Sequence, residues 1–152
     1  MDAPAMTSPD ALIDAADPSA LTPEQRTIWA EQLSMYAGFL TGDRSRTDAH
    51  ISDDCTIWDS VVAELANGMR EFNALRAARP SGPDVPVVSR ITANHPIIDV
   101  WGDTGIGRHT LVVEYANDAA PMELIRVSAA WRRRPDGAWM LVHSHEDLFP
   151  QL

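Results

Sequence analysis

From Met122 to Leu148 the chain reads MELIRVSAAWRRRPDGAWMLVHSHEDL, two runs of strand-forming residues around Arg134-Pro135-Asp136-Gly137. Pro presets φ and Gly accepts a φ that other residues resist, so the tetrapeptide is a turn and the segment a long β-hairpin. Folding about that turn sets Trp131 opposite Met140, Ala129 opposite Val142 and Val127 opposite Ser144. Strand side chains alternate, so one face should carry Ile125, Val127, Ala129, Trp131, Met140, Val142, Ser144 and Glu146. The other should carry Arg126, Ser128, Ala130, Arg132, Trp139, Leu141, His143 and His145. Both hold large apolar groups, so neither is simply solvated. Helices or a cavity are expected on one side and another subunit on the other. A one-residue bulge would exchange the faces.

The rest of the chain supplies the covering elements. Thr22-Pro23-Glu24 opens a helix, with Thr22 as N-cap and Pro23 at the first helical position. Ile28, Trp29, Leu33, Tyr36 and Leu40 recur at helical spacing up to about Thr41, and Gly42 suits the C-cap. A short helix is expected around 44–50, a strand over 54–59 (DCTIWD) and a second clear helix over 68–79 (GMREFNALRAAR). After Pro80-Ser81-Gly82-Pro83 come extended segments near 86–101, 106–116, 122–134 and 138–146, separated by turn residues. Residues 1–20 are rich in Ala, Asp, Pro and Ser and read as a mobile tail, leaving 21–152 as one domain. Helices followed by consecutive antiparallel strands define an α+β fold. A curved antiparallel sheet wrapped around the long N-terminal helix makes a cone-shaped α+β barrel whose open mouth suits a small molecule.

Composition removes several functions. A formal charge of −10 and a pI near 4.7 argue against nucleic acid or an anionic membrane as partner, and all 12 basic residues are arginine. Without lysine there is no Schiff base and no P-loop. Cys55 is the single cysteine, so neither an intrachain disulfide nor a thiolate metal cluster can form within one chain. The first residues lack the basic and apolar regions of a signal peptide, and no run is long enough to span a membrane. The expectation is a bacterial-type acidic protein of the cytoplasm. Gly102, Gly105 and Gly107 lie in a hairpin rather than before a helix, so they make no dinucleotide site, and no GxSxG, CxxC or HExxH motif occurs.

The order of helix, SDDCTIWDS strand, NGMREF helix and a meander ending in WRRRPDGAWMLVHSH resembles the nuclear transport factor 2-like superfamily. That superfamily includes ketosteroid isomerases, SnoaL-like polyketide cyclases and the association domain of calcium/calmodulin-dependent protein kinase II. The Arg-rich hairpin followed by VHSH looks most like the kinase association domain, and SDDCTIWDS followed by NGMREF like the isomerases. The resemblance implies a homodimeric cone fold over about 21–148. It places Asp59 at the isomerase general base and Tyr36 within one residue of the oxyanion tyrosine. The second oxyanion acid and the kinase domain's pocket arginine both fall at Ala129, which supplies neither group.

Read on their own chemistry, several residues could carry a site. Asp59 ends a strand and shares a face with Cys55 and Ile57; a carboxylate pushed into an apolar cone becomes a useful base, whereas at a strand end it is a cap. His109, Leu111, Val113 and Tyr115 alternate on one face of their strand, so His109 is a candidate proton shuttle and Tyr115 a candidate oxyanion donor. Glu146 is a possible second acid or base opposite Asp59. Trp131 would wall an apolar or aromatic ligand. His143 and His145 share a strand face, but no spacing supplies a third metal ligand. They read instead as a dimer face together with Trp139. The expected function is cofactor-free isomerisation, dehydration or cyclisation of an apolar carbonyl compound. The alternatives are a non-catalytic ligand-binding or oligomerisation module and epoxide opening by water.

Overall fold

The computed structural model describes residues 13–150, so the first 12 residues of the expected tail and the last two of the chain lie outside the described residues. The elements are β1 (Ile13–Ala15), α1 (Pro23–Thr41), α2 (Arg44–Asp48), β2 (Ile51–Trp58), β3 (Ala66–Asn67), α3 (Met69–Ala78), β4 (Val88–Trp101), β5 (Thr104–Tyr115), β6 (Glu123–Arg133) and β7 (Trp139–Phe149). They build one open seven-stranded sheet in the order β1-β4-β5-β6-β7-β2-β3. The meander β4 to β7 is antiparallel as expected. The sheet as a whole is mixed, because β2 joins β7 in parallel and β1 joins β4 in parallel. β3, α3 and most of the meander separate β2 from β7 in the chain, and this supplies the long connection that a parallel pair requires.

The helix signals act as their chemistry predicts. Thr22 accepts from the Gln25 amide while the Gln25 side chain accepts from the Thr22 amide, a reciprocal capping box. Gly42 ends α1 in the left-handed conformation at φ 69°. Gly38 permits a close approach: a Cβ there would stand 2.5 Å from Thr47 Oγ1 and 2.9 Å from the Asp43 carbonyl oxygen. Without that side chain α2 lies directly on α1, and Thr47 donates to the Met35 carbonyl oxygen at 3.1 Å.

The core lies between α1 and the concave face of the sheet. Ile28, Trp29, Tyr36, Cys55, Leu111, Val127, Ala129, Trp131 and Leu141 are buried there. The hairpin register corrects the sequence expectation. Val127 pairs with Glu146, Ala129 with Ser144 and Ala130 with His143, but Trp131 pairs with Leu141. Val142 is therefore the extra residue of a β-bulge. Ser144 and Glu146 keep the concave face expected of them. Beyond the bulge the faces exchange: Trp139 and Leu141 turn inward and are 3% and 2% exposed. Met140 and Val142 leave the concave face, so Val142 is not a pocket residue and Trp139 is not part of an outer face.

Candidate acid–base site

The sheet's curvature leaves a cavity of about 570 Å³ between α1, α3 and the strands. Its walls are mostly apolar, with Met35, Phe72, Ile91, Leu111, Val113 and Ile125 prominent. Polar groups converge from four elements: Gln32 and Tyr36 from α1, Arg76 from α3, Tyr115 from β5, and Ser144 and Glu146 from β7; Asp59 and Arg79 flank them just past β2 and α3.

Asp59 has both carboxylate oxygens engaged. Oδ1 accepts from the Val61 amide at 3.1 Å, and Oδ2 forms an ion pair with Arg79 Nη2. An ionised carboxylate tied to a guanidinium and a backbone N–H is a fixed negative charge, with few lone pairs left for a substrate proton. Glu146 is the opposite case. Burial disfavours its charge, the nearby Asp59 carboxylate disfavours it further, and Arg79 only partly compensates, so its pKa is pushed up to about 7. Two carboxyl groups in one cavity thus differ in their surroundings: Asp59 is paired with a guanidinium and a backbone N–H, and Glu146 is buried with its pKa at about 7.

Tyr36 projects from α1 into the same space, and its hydroxyl hydrogen-bonds His109 Nε2 at 2.5 Å. Burial and the Glu146 charge keep the phenol well above its usual range, with a hydrogen bond from Gln32 offsetting part of this. His109 lies behind Tyr36, edge-on to Trp29 with ring centroids 5.1 Å apart. Its burial lowers its pKa to about 4, so the ring is neutral at pH 7. At the rim, Tyr115 shares a hydrogen bond with Glu123, and burial together with that carboxylate raises its pKa.

Of the residues singled out in the sequence, Tyr36, Ile57, Asp59, Tyr115, Ser144 and Glu146 line the cavity together. Val127, Ala129 and Trp131 share its face but are sealed in the core, where Ile28 and Trp29 of α1 fill the narrow end of the cone. His109 reaches the cavity only through Tyr36. Arg79 and Gln32 went unremarked in the sequence; Arg79 closes α3 with no motif to mark it. Arg76 of α3 stacks its guanidinium 4.2 Å from the Phe72 ring centroid and pairs with Asp48 at 2.8 Å. On the outer face Trp58, rather than Trp139, accompanies the histidines, its ring centroid 6.1 Å from that of His143 and 5.4 Å from that of His145. Among the described residues no three His, Cys, Asp or Glu side chains converge as metal ligands, and no helix is long and apolar enough to cross a membrane.

No protein-family model and no curated protein sequence matches the chain. Solved structures do. The CaMKII hub homology domain of Chlamydomonas reinhardtii aligns with a TM-score of 0.69 at 19% identity, over 84% of this chain and 99% of that one. An NTF2-like protein of unknown function from Pseudomonas putida KT2440 aligns at 0.69 and 17% identity, over 85% and 89%. A ketosteroid isomerase-like protein from Erwinia carotovora atroseptica aligns at 0.68 and 12% identity, over 86% and 100%. The chain has the nuclear transport factor 2-like cone fold, a fold seen both in isomerase-like proteins and in hub domains. At these identities the likeness carries the fold, and function has to be argued from the site.

Proposed function

We propose that the cavity binds a small, largely apolar carbonyl compound and that Glu146 moves a proton on it without a cofactor. The observation that carries this reading is the inequality of the two carboxyl groups. Glu146, with a pKa of about 7, can both take and return a proton near neutral pH. Burial raises that pKa most, and the charge of Asp59, bound by Arg79 and the Val61 amide, adds to it. The base is therefore assigned to Glu146 rather than to Asp59. In this scheme Glu146 removes a proton beside the carbonyl. The Tyr36 hydroxyl stabilises the developing oxyanion, and Glu146 delivers the proton to a second carbon, giving isomerisation. Loss of a β-hydroxyl or attack on a second carbonyl from the same intermediate gives dehydration or cyclisation. The same acid–base pair is competent to direct water onto an epoxide.

The test is exchange of α-protons for deuterium in a panel of cyclic ketones, followed by NMR in D₂O, with ligand binding read from chemical shifts in the same samples. Exchange by the wild type that falls at least about 100-fold in Glu146→Gln supports the proposal. Binding with equal, background exchange in both leaves a ligand-binding domain and removes the catalytic reading. Self-association is proposed through the outer face that carries Trp58, His143 and His145, since Trp58 is 41% exposed there. Trp58→Glu should shift the mass measured by light scattering toward a monomer if this face is the contact.

A further inference from the structure

A second set of reactive side chains lies outside the cone, where α1 meets α2. Glu31 and Ser34 are on α1, one turn apart on the same side of the helix. His50 follows α2 and is anchored by its backbone: its amide donates to the Thr47 carbonyl oxygen at 3.2 Å, and its carbonyl oxygen accepts from Leu141 at 2.8 Å. Its imidazole bridges the two α1 residues. Nδ1 contacts Glu31 Oε2, and Nε2 lies 3.0 Å from Ser34 Oγ. Arg46 of α2 donates from Nε to the same Ser34 oxygen at 3.1 Å.

The proton positions follow from donor and acceptor chemistry. A carboxylate only accepts, so Nδ1 carries the ring proton and donates it to Glu31. In the neutral ring Nε2 then has the lone pair, and the Ser34 hydroxyl donates to it. The remaining lone pairs on Oγ accept from Arg46. This is the hydrogen-bond order of a nucleophile, a general base and an orienting carboxylate, recognised by geometry and not by sequence motif. Ser34 and Arg46 also line a second cavity of about 260 Å³, whose other walls are Ile13, Ala15, Ala30 and Leu33. A strut between two helices needs neither an imidazole aligned through both nitrogens nor a cavity against the hydroxyl.

We propose that Ser34, His50 and Glu31 form an acyl-transfer site for small esters, with the short acyl chain lodged against Ile13, Ala15, Ala30 and Leu33. Ser34 Oγ attacks the ester carbonyl carbon while His50 Nε2 takes its proton. Arg46 faces the carbonyl oxygen as it becomes an oxyanion. The tetrahedral intermediate collapses with cleavage of the carbon–oxygen bond to the alcohol, which leaves with the proton from His50. Water repeats the sequence: His50 takes its proton, hydroxide adds to the acyl carbon, and Ser34 Oγ departs with that proton. The balance is ester plus water giving acid plus alcohol.

The test uses the whole chain, an alkyl fluorophosphonate probe and p-nitrophenyl butyrate. In the probe reaction the Oγ–phosphorus bond forms, fluoride leaves and His50 takes the proton. The expected result is one adduct per chain, mapped to Ser34 by mass spectrometry. It should be absent in Ser34→Ala, retained in Ser89→Ala, and formed about 100-fold more slowly in Glu31→Gln, where the amide N–H can donate to Nδ1 and the tautomer is no longer fixed. Butyrate ester hydrolysis should follow the same order. Circular dichroism and tryptophan fluorescence matching the wild type certify each variant as folded. A folded wild type that is not labelled, that is labelled elsewhere, or that hydrolyses the ester no faster than Ser34→Ala overturns the proposal.

Discussion

Replacing Glu146 by Gln should stabilise the protein, and increasingly so as pH rises. Burial and Asp59 raise the carboxyl pKa from the 4.5 of a free glutamate to about 7 in the folded chain. Between those values the folded state binds more protons than the unfolded state, so stability falls as pH climbs through the window. The sign is that of a group whose folded pKa is raised: its favourable contribution is complete below the unfolded value and is lost as pH passes the folded one. At about 1.4 kcal/mol per unit, the full window corresponds to about 3 kcal/mol. Glu146 is only half-buried by surface, and solvent entering the cavity screens part of this, so about 2 kcal/mol is expected between pH 5 and pH 8. Glutamine keeps the size and hydrogen-bonding capacity of the side chain but never ionises.

Urea denaturation of wild type and Glu146→Gln at half-unit intervals from pH 5 to pH 8 measures the difference directly. The two should be nearly equal at pH 5, and Gln should lead by about 2 kcal/mol at pH 8. A stability gap that stays flat with pH would refute the reasoning, because it would mean that Glu146 ionises in the fold as freely as in the unfolded chain. The proposed chemistry would then lose its base as well. The Glu146 carboxyl resonance, followed by carbon NMR, should move with a midpoint near the pKa of about 7.

Three further outcomes follow from neighbouring groups. Asp59→Asn removes a charge that raises the Glu146 pKa and Arg79→Met removes one that lowers it, so the NMR midpoint should fall in the first variant and rise in the second. His109 has the opposite linkage to Glu146: its pKa drops from 6.5 to about 4, so the native state gives up stability as pH falls through that interval, by about 3 kcal/mol, and His109→Gln should flatten this acid limb in urea titrations. Cys55 is fully buried with its thiol pushed up to about 12, so iodoacetamide should leave it intact in the native protein and alkylate it in urea, as mass spectrometry can read.

Where sequence reading succeeded and where it stopped has one physical cause, the range over which a signal acts. Thr22, Pro23, Glu24 and Gly42 act within a turn of themselves, and α1 begins and ends where they say. Asp136-Gly137 acts on the residues beside it, and the meander is where alternation puts it. The bulge at Val142 leaves no such trace. Trp139, Met140, Leu141 and Val142 are all apolar, so slipping the pleat by one costs no hydrophobic pattern, and packing, with the Trp139 ring over the bare Gly105, decides that Trp139 rather than Met140 turns inward. The reactive groupings are less local still. Tyr36 meets His109 across 73 positions, and Asp59 meets Arg79 across 20. His50 reaches back 16 positions to Ser34 only because Gly38 brings α2 down onto α1. A carboxyl pKa raised by burial and by a neighbour's charge, as that of Glu146 is with Asp59 beside it, is a property of such distant meetings. Asp59 drew attention in the sequence for its place on a strand, and that place turns out to hold the charge that tunes the other carboxyl.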